Sequence, residues 1–290
     1  MYGTIIDITN KESGKSLKII IRSTICILLI TLALTNLTFS VQSNGNSKTA
    51  IENFTLFNYK DSQKKVPCWK LTGKRADQST DELTVYDFTL IINDPDSQSG
   101  ELLYSISGKQ IKLLGSGKDL TAIMPEEIRM KINQKDVQLK GVARDARYHF
   151  STRSIFGSDL QLSKSSEEGE VSLKGSRFTY LHDDEKLVLT DEFMTTISNT
   201  EKGQLEISGK ELIWFLQKEI NMVGQLRASV NSGWVVTSTE MNWNEQKSLL
   251  ITTGHPTAHK QDLSLQGETI SYYEGSEKIV VNEGKLTFED

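Results

Sequence analysis

Very little in this chain has the type and spacing needed to run a reaction. Of its four histidines, His255 and His259 stand four apart, a spacing that on a helix would aim two imidazoles at one metal ion. The segment reads GHPTAHK, however, and Pro256 between the two makes it a turn, so the rings need not face one way. His182-Asp183-Asp184 reads as a hairpin tip, and His149 stands apart from the other three. The adjacent carboxylates Glu126-Glu127 and Glu167-Glu168 would be sent to opposite faces of a strand, which leaves no pair to share a proton. Ser107-Gly108-Lys109 and Ser208-Gly209-Lys210 look phosphate-like but fall inside alternating segments. A phosphate-cradling G-x-x-x-x-G-K-[ST] loop and a G-x-S-x-G elbow are both missing from the sequence. The expectation is a protein that is not an enzyme, with no cofactor and no metal.

The elements around these residues carry more information. At 290 residues, 37% hydrophobic and 24% charged, the chain has the composition of a folded protein, and an all-β domain can absorb most of such a length. A net charge of −5 without a basic stripe argues against nucleic-acid binding. Cys26 lies in an apolar run and Cys68 well beyond it, so the two do not make a disulfide framework.

That apolar run, Ile19 to Phe39 (IIIRSTICILLITLALTNLTF), is long enough as a helix, roughly 31 Å, to cross a bilayer core. Lys11, Lys15, Lys18 and Arg22 crowd its start, and the next basic residue is Lys48. The asymmetry predicts residues 1–18 in the cytoplasm, a transmembrane anchor over 19–39 and everything after 40 outside. A cleaved secretory signal is the competing reading, with Thr38 and Ser40 at the spacing a peptidase reads. Residues 40–52 read as a polar linker, leaving 53–290 as the exported domain, either one body or two dividing near 150–170.

Within 53–290 a repeat stands out. VSLKGSRFTY (171–180), LEISGKELIW (205–214), VVTSTEMNW (235–243) and LSLQGETISY (263–272) share alternating apolar residues, a small residue, then an aromatic five positions on. The aromatics Tyr180, Trp214, Trp243 and Tyr272 are 34, 29 and 29 residues apart. After each comes a polar turn and a second alternating strand, which defines a hairpin with one buried and one wet face. The alternation slips by one residue at Gly175, Gly209, Ser238 and Gly267, as a bulge or corner would make it. Earlier segments (69–78, 82–92, 105–114, 137–150) follow the same grammar. Pro125 marks a break or an edge, and PEEIRMKI is the best short helix candidate after residue 50. The inward phase is read as Leu205, Ile207, Leu212, Trp214, Ile220, Met222, Met241, Trp243, Leu249, Ile251, Ile270 and Tyr272, serving as core, as ligand contacts, or as both.

These small-x-x-φ-x-aromatic strands and their hairpins, covering about 69–288, resemble the OstA-like family of lipopolysaccharide-transport proteins, and within it the LptC-type (YrbK-like) branch with an N-terminal anchor. The resemblance implies an open, twisted β-jellyroll of stacked antiparallel hairpins behind one transmembrane helix. It implies an inner-membrane, single-pass protein whose main domain lies in the periplasm. Lipopolysaccharide would lie against the inward residues above, received from an inner-membrane extraction complex and passed to periplasmic jellyroll partners by strand pairing. An exported region of about 250 residues is longer than a compact domain of that branch, which leaves room for two fused jellyrolls.

Exposing an acyl chain of roughly a dozen carbons to water costs on the order of 10 kcal/mol, so an apolar slot alone could supply the driving force for carriage. Open sheet edges template pairing with another chain, and GKLTF (284–288), with Leu286 and Phe288, is the expected partner-docking edge. The other reading is a β-solenoid structural or interaction protein with a fully packed interior.

Overall fold

In the computed structural model the described residues are 3–9, 16–22, 49–59, 66–79, 82–94, 101–134, 137–166, 169–199, 203–216, 218–230, 232–274 and 278–288. The described chain is all-β with antiparallel strand pairings, and a 3₁₀ turn lies at Gly117–Asp119. It divides into two compact units, one comprising 1–133 with 147–151 and the other 134–146 with 152–290.

The first unit contains β1 (Gly3–Thr9), β2 (Ser16–Arg22), β3 (Thr49–Tyr59), β4 (Trp69–Gln78), β5 (Glu82–Asn93), β6 (Leu102–Leu114), β7 (Thr121–Met124) and β8 (Ile128–Gln134, whose last residue belongs to the second unit). Ile19–Arg22, expected to open a membrane helix, instead complete β2, paired with β1 from Gly3↔Arg22 to Thr9↔Ser16. A run of β-branched isoleucines suits a pleated strand. Residues 23–39, the remainder of the expected anchor, lie outside the described residues, among which no helix is long and apolar enough to cross a membrane. The PEEIRMKI segment is likewise strand rather than helix: Ile128, Met130 and Ile132 alternate inward at 1–2% exposure, period two rather than 3.6. Pro125, without an amide hydrogen, sits at the break between β7 and β8. Across β4, β5 and β6 the inward ladders Trp69–Ile92–Tyr104 and Leu71–Leu90–Ile106 form the core, all at 7% exposure or less.

The second unit is built on β9 (Val137–His149, up to Ala146), β10 (Ser154–Ser166), β11 (Gly169–Leu181), β12 (Lys186–Asn199), β13 (Gly203–Gly209), β14 (Glu211–Phe215), β15 (Glu219–Val230), β16 (Val235–Asn244), β17 (Leu249–Thr253), β18 (Thr257–Lys260), β19 (Leu263–Gln266), β20 (Thr269–Tyr273), β21 (Lys278–Asn282) and β22 (Lys285–Phe288). Each hairpin arm turns a corner near its middle. In β11 the register shifts between Gly175 and Arg177, and in β15 between Val223 and Leu226. Asp159, Asp191, Gly224 and Gly254 adopt left-handed backbone along the same line, a conformation that glycine and short polar residues tolerate best. Inward positions in β11 change parity across the corner, Leu173 and Phe178 being five apart and both buried, whereas its neighbour β12 keeps parity from Leu189 to Thr195, and the register shift takes up the difference. Where the repeat has Ser238 instead of glycine, its hydroxyl donates to the Thr253 carbonyl at 2.9 Å and accepts from the Glu240 N–H at 3.0 Å, satisfying groups the bend releases.

The corner glycines are also needed for space. A Cβ on Gly209 would meet the Leu226 side chain and stand 2.9 Å from Phe193 Cε1. Gly209→Val is expected to cost about 1–3 kcal/mol by overpacking, and Ser208→Val, one residue away on the polar outer side, less than about 0.5 kcal/mol. Urea unfolding of both variants checks this; equal losses would show that the corner is not tightly packed.

Candidate functional site

The inward residues of the second unit form continuous cross-strand ladders, because residues opposite each other in an antiparallel pair share a face. Before the corner, one ladder runs Ile155–Tyr180–Leu187–Trp214–Ile220–Trp243–Leu250–Tyr272–Ile279. The next runs Phe178–Leu189–Leu212–Met222–Met241–Thr252–Ile270–Val281. Beyond the corner, Leu162–Leu173–Thr195–Ile207–Ala228–Val236–Ala258–Leu265–Leu286 form a third.

Ten of the twelve residues read as inward lie on this face: Leu205, Ile207, Leu212, Trp214, Ile220, Met222, Met241, Trp243, Ile270 and Tyr272, at 0–3% exposure. Leu249 and Ile251 do not. The turn after Asn244, in which the Asn244 side chain accepts from the Lys247 N–H at 3.0 Å, pairs Trp243 with Leu250 and Met241 with Thr252. Leu250 and Thr252 are thus buried, and Leu249 and Ile251 stand half-buried on the opposite face. In a run such as LLI the hairpin turn, not hydrophobicity, sets the register. A signal was present in the sequence: the step of seven from Tyr180 to Leu187, and from Tyr272 to Ile279, lands on Leu250 when counted from Trp243.

The interior is closed along its middle, and one polar cluster helps to close it. Lys164 continues the inward phase of Leu160 and Leu162, and its Nζ donates to Glu245 Oε2 at 2.5 Å while lying 5.9 Å from the Trp214 ring. The Trp214 indole N–H donates to the other oxygen, Glu245 Oε1, at 2.6 Å. Lys164 belongs to the sheet beyond the corner, and Glu245 and Trp214 to the sheet before it, so the cluster ties the two inward faces together. None of the three was singled out as polar machinery from the sequence. An inward tryptophan does need an acceptor for its N–H, but the acceptor comes from a turn 31 residues on.

His182 departs from its reading as an exposed tip. It is 7% exposed, with its ring 6.4 Å from that of Tyr180, because the inward alternation Phe178–Tyr180–His182 runs into the first turn residue. Burial, and secondarily the charge of Glu185, pushes the Tyr180 phenol well above its ordinary value. At the outer edge of the corner the Asp191 carboxylate accepts from Arg177, which holds its pKa below the ordinary value.

His255 and His259 are exposed, and among the described residues no group of three or more His, Cys, Asp or Glu is placed to hold a metal. Glu126 and Glu127 are exposed, with Glu126 facing Lys109 at 3.8 Å; Glu167 and Glu168 lie outside the described residues. The docking-edge strand β22 pairs with β19 from Leu263↔Phe288 to Gln266↔Lys285, and Leu286 is 51% exposed. Comparison of the chain with protein-family models and with curated proteins gives no match.

Two outcomes are expected. Lys164→Met should cost about 1–3 kcal/mol, below the roughly 3–5 kcal/mol of a fully buried pair because both partners keep some water, and Lys164→Met with Glu245→Gln should recover at least half of it. Chemical denaturation of the set measures the recovery, and none would mean that the pair does not act as a unit. For Tyr180, the folded pKa lies above the unfolded value near 10, so no stability is lost below about pH 10, and above it the unfolded state gains by ionising first. Stability should fall as pH rises past 10, less steeply in Tyr180→Phe; identical slopes in the two proteins would refute the assignment.

Proposed function

We propose that this chain is a non-enzymatic envelope protein of the lipopolysaccharide-transport type, an OstA-like, LptC-type relative. In this reading it is a β-jellyroll connector, held at the inner membrane by its N-terminal segment, with its main domain in the periplasm and lipid acyl chains as cargo. The supporting features are the repeat, with its aromatics 34, 29 and 29 residues apart, and the bent two-walled interior it builds.

The observation that carries the reading is a gradient of burial along the ladders. In the middle the inward residues are 0–3% exposed. At the β21–β22 end, inward Ile279, Val281 and Leu265 are half-buried and Leu286 reaches 51%. A chain inserted between the walls at Trp214 would have to part packed side chains and break the Lys164–Glu245–Trp214 cluster. At the β21–β22 end no such packing must be broken, and the gain of about 0.8 kcal/mol per buried CH₂ is available directly. Cargo contact therefore belongs at Leu265, Ile279, Val281 and Leu286. The same strands carry the docking edge: among the described residues β21 is paired only with β20 and β22 only with β19, and unpaired edges accept strands from periplasmic partners.

A second reading, an envelope structural or interaction protein with a fully packed interior, is favoured by the 0–3% exposure of the middle ladder residues. Photo-cross-linking amino acids at Leu286 and at Trp214, in cells making lipopolysaccharide, separate the two. Capture of lipid at position 286 at least fivefold above position 214 is expected. Comparable capture at 214 would refute entry at the β21–β22 end, and capture at neither, with folded protein, would leave the packed-interior reading.

A further inference from the structure

The two walls of the second unit are joined at the crease by the strands that run through it, so they can part only at the lips, the hairpin ends farthest from it. On the wall before the corner the lip is made by the turns after β11, β14, β16 and β20; on the wall beyond it, by the turns after β10, β12, β15 and β18. Glu245 opens the turn after β16 and, two residues past Trp243, keeps the inward phase, its N–H donating to the Lys218 carbonyl at 3.3 Å. Lys164 stands two residues before the end of β10, opposite Val171. Their 2.5 Å contact therefore runs from one lip to the other, with side chains 16% and 14% exposed. The Trp214 indole N–H holds the second carboxylate oxygen at 2.6 Å.

Two kinds of contact thus keep the walls together, and a lipid chain meets them differently. From the β21–β22 end as far as β17 the inward residues are Ile270, Tyr272, Leu250 and Thr252, at 0–3% exposure. The Thr252 hydroxyl is satisfied within its own wall, donating to the Ile270 carbonyl at 3.0 Å. Parting apolar side chains to admit an acyl chain exchanges like for like, because lipid tails are as apolar as leucine. Such packing resists a chain only weakly. An acyl chain offers neither donor nor acceptor, so parting the lips at Glu245 would strip an ammonium, a carboxylate and an indole N–H of their partners. Residual exposure of the two charges lowers that cost without removing it. The barrier stands on β16, three strand spacings from β21, or roughly 14 Å inside the open end.

We propose that Lys164, Glu245 and Trp214 form a clasp that holds the lips of the second unit together and limits how far a lipid chain advances from the β21–β22 end. The inference rests on the lipid-carriage reading above and adds a stop to it. Closed, the clasp confines chains to the β21–β22 side of β16. Open, it admits them to Met222 on β15 and Leu212 on β14. The leverage comes from position, since a contact at the lips lies farthest from the crease about which the walls would open.

The test uses the full chain in cells making lipopolysaccharide, with a diazirine amino acid at Met222 or at Leu286. In the combined Lys164→Met and Glu245→Gln chain, lipid capture at 222 relative to 286 should rise at least tenfold. Trp214→Phe keeps the ring packing and removes one hydrogen bond, and should give at least a threefold rise even where the combined variant does not fold. Val236→Ala removes inward packing but none of the three clasp groups, and should leave the ratio within twofold. Capture at 286 with no rise at 222 in the clasp variants would overturn the clasp and leave lipid carriage standing. An equal rise in Val236→Ala would mean general loosening and would also overturn it, and capture at neither position in any chain would overturn clasp and carriage together.

Discussion

Strands that turn a corner together must keep one face buried, by a change of parity in some (Leu173 to Phe178, five apart) and an added residue in others (Leu189 to Thr195, six apart), and the second unit depends on this constraint. Alternation alone would carry Leu173 inward and Phe178 outward; the shift between Gly175 and Arg177 restores both to the interior. Repeated from strand to strand, the shift converts one long sheet into two walls with a shared inside. Left-handed Asp159, Asp191, Gly224 and Gly254 line up along the crease, where residues with a bulky Cβ branch would be strained. Where glycine is replaced, as at Ser238, a hydroxyl supplies the hydrogen bonds that the bend removes.

Once the walls face each other, their spacing is set by packing rather than by cargo. Trp214 is fully buried and needs a partner for its indole N–H, and Glu245 meets that need while pairing with Lys164 from the opposite wall. A buried ion pair contributes less to net stability than its Coulomb energy implies, because both charges lose water. Its consequence here is positional, since it joins three distant segments at one height of the interior. The proposed transport reading then moves cargo contact away from the packed middle and toward the half-buried β21–β22 end.

The outer faces extend the same logic. Before the corner the outward positions are mixed, with Val188, Ile213, Phe215, Leu249, Ile251 and Val280 set among Thr179, Lys186, Glu219, Asn221, Asn242, Asn244 and Ser271. Composition alone conceals this, because runs such as KLVLT, LIWFL and LLI look simply more hydrophobic than their neighbours. Leu249 and Ile251 belong to this outward set, opposite Asn244 and Asn242.

Several features were legible in the sequence because they depend on local chemistry: the all-β class, the repeat, the corner at each small residue, the break at Pro125, and ten inward residues whose parity follows from alternation on either side of a glycine. Tertiary structure decided what depends on register and on distant partners. The turn after Asn244 reversed the parity of Leu249 and Ile251, since a continuous apolar run has no phase of its own until a hairpin closes it. Ile19–Arg22 lie at the end of β2, opposite Gly3–Ile6, a pairing that the run of isoleucines does not specify by itself. The Lys164–Glu245–Trp214 cluster joins residues 31 and 81 positions apart, and no local pattern encodes a contact made only when two walls fold together.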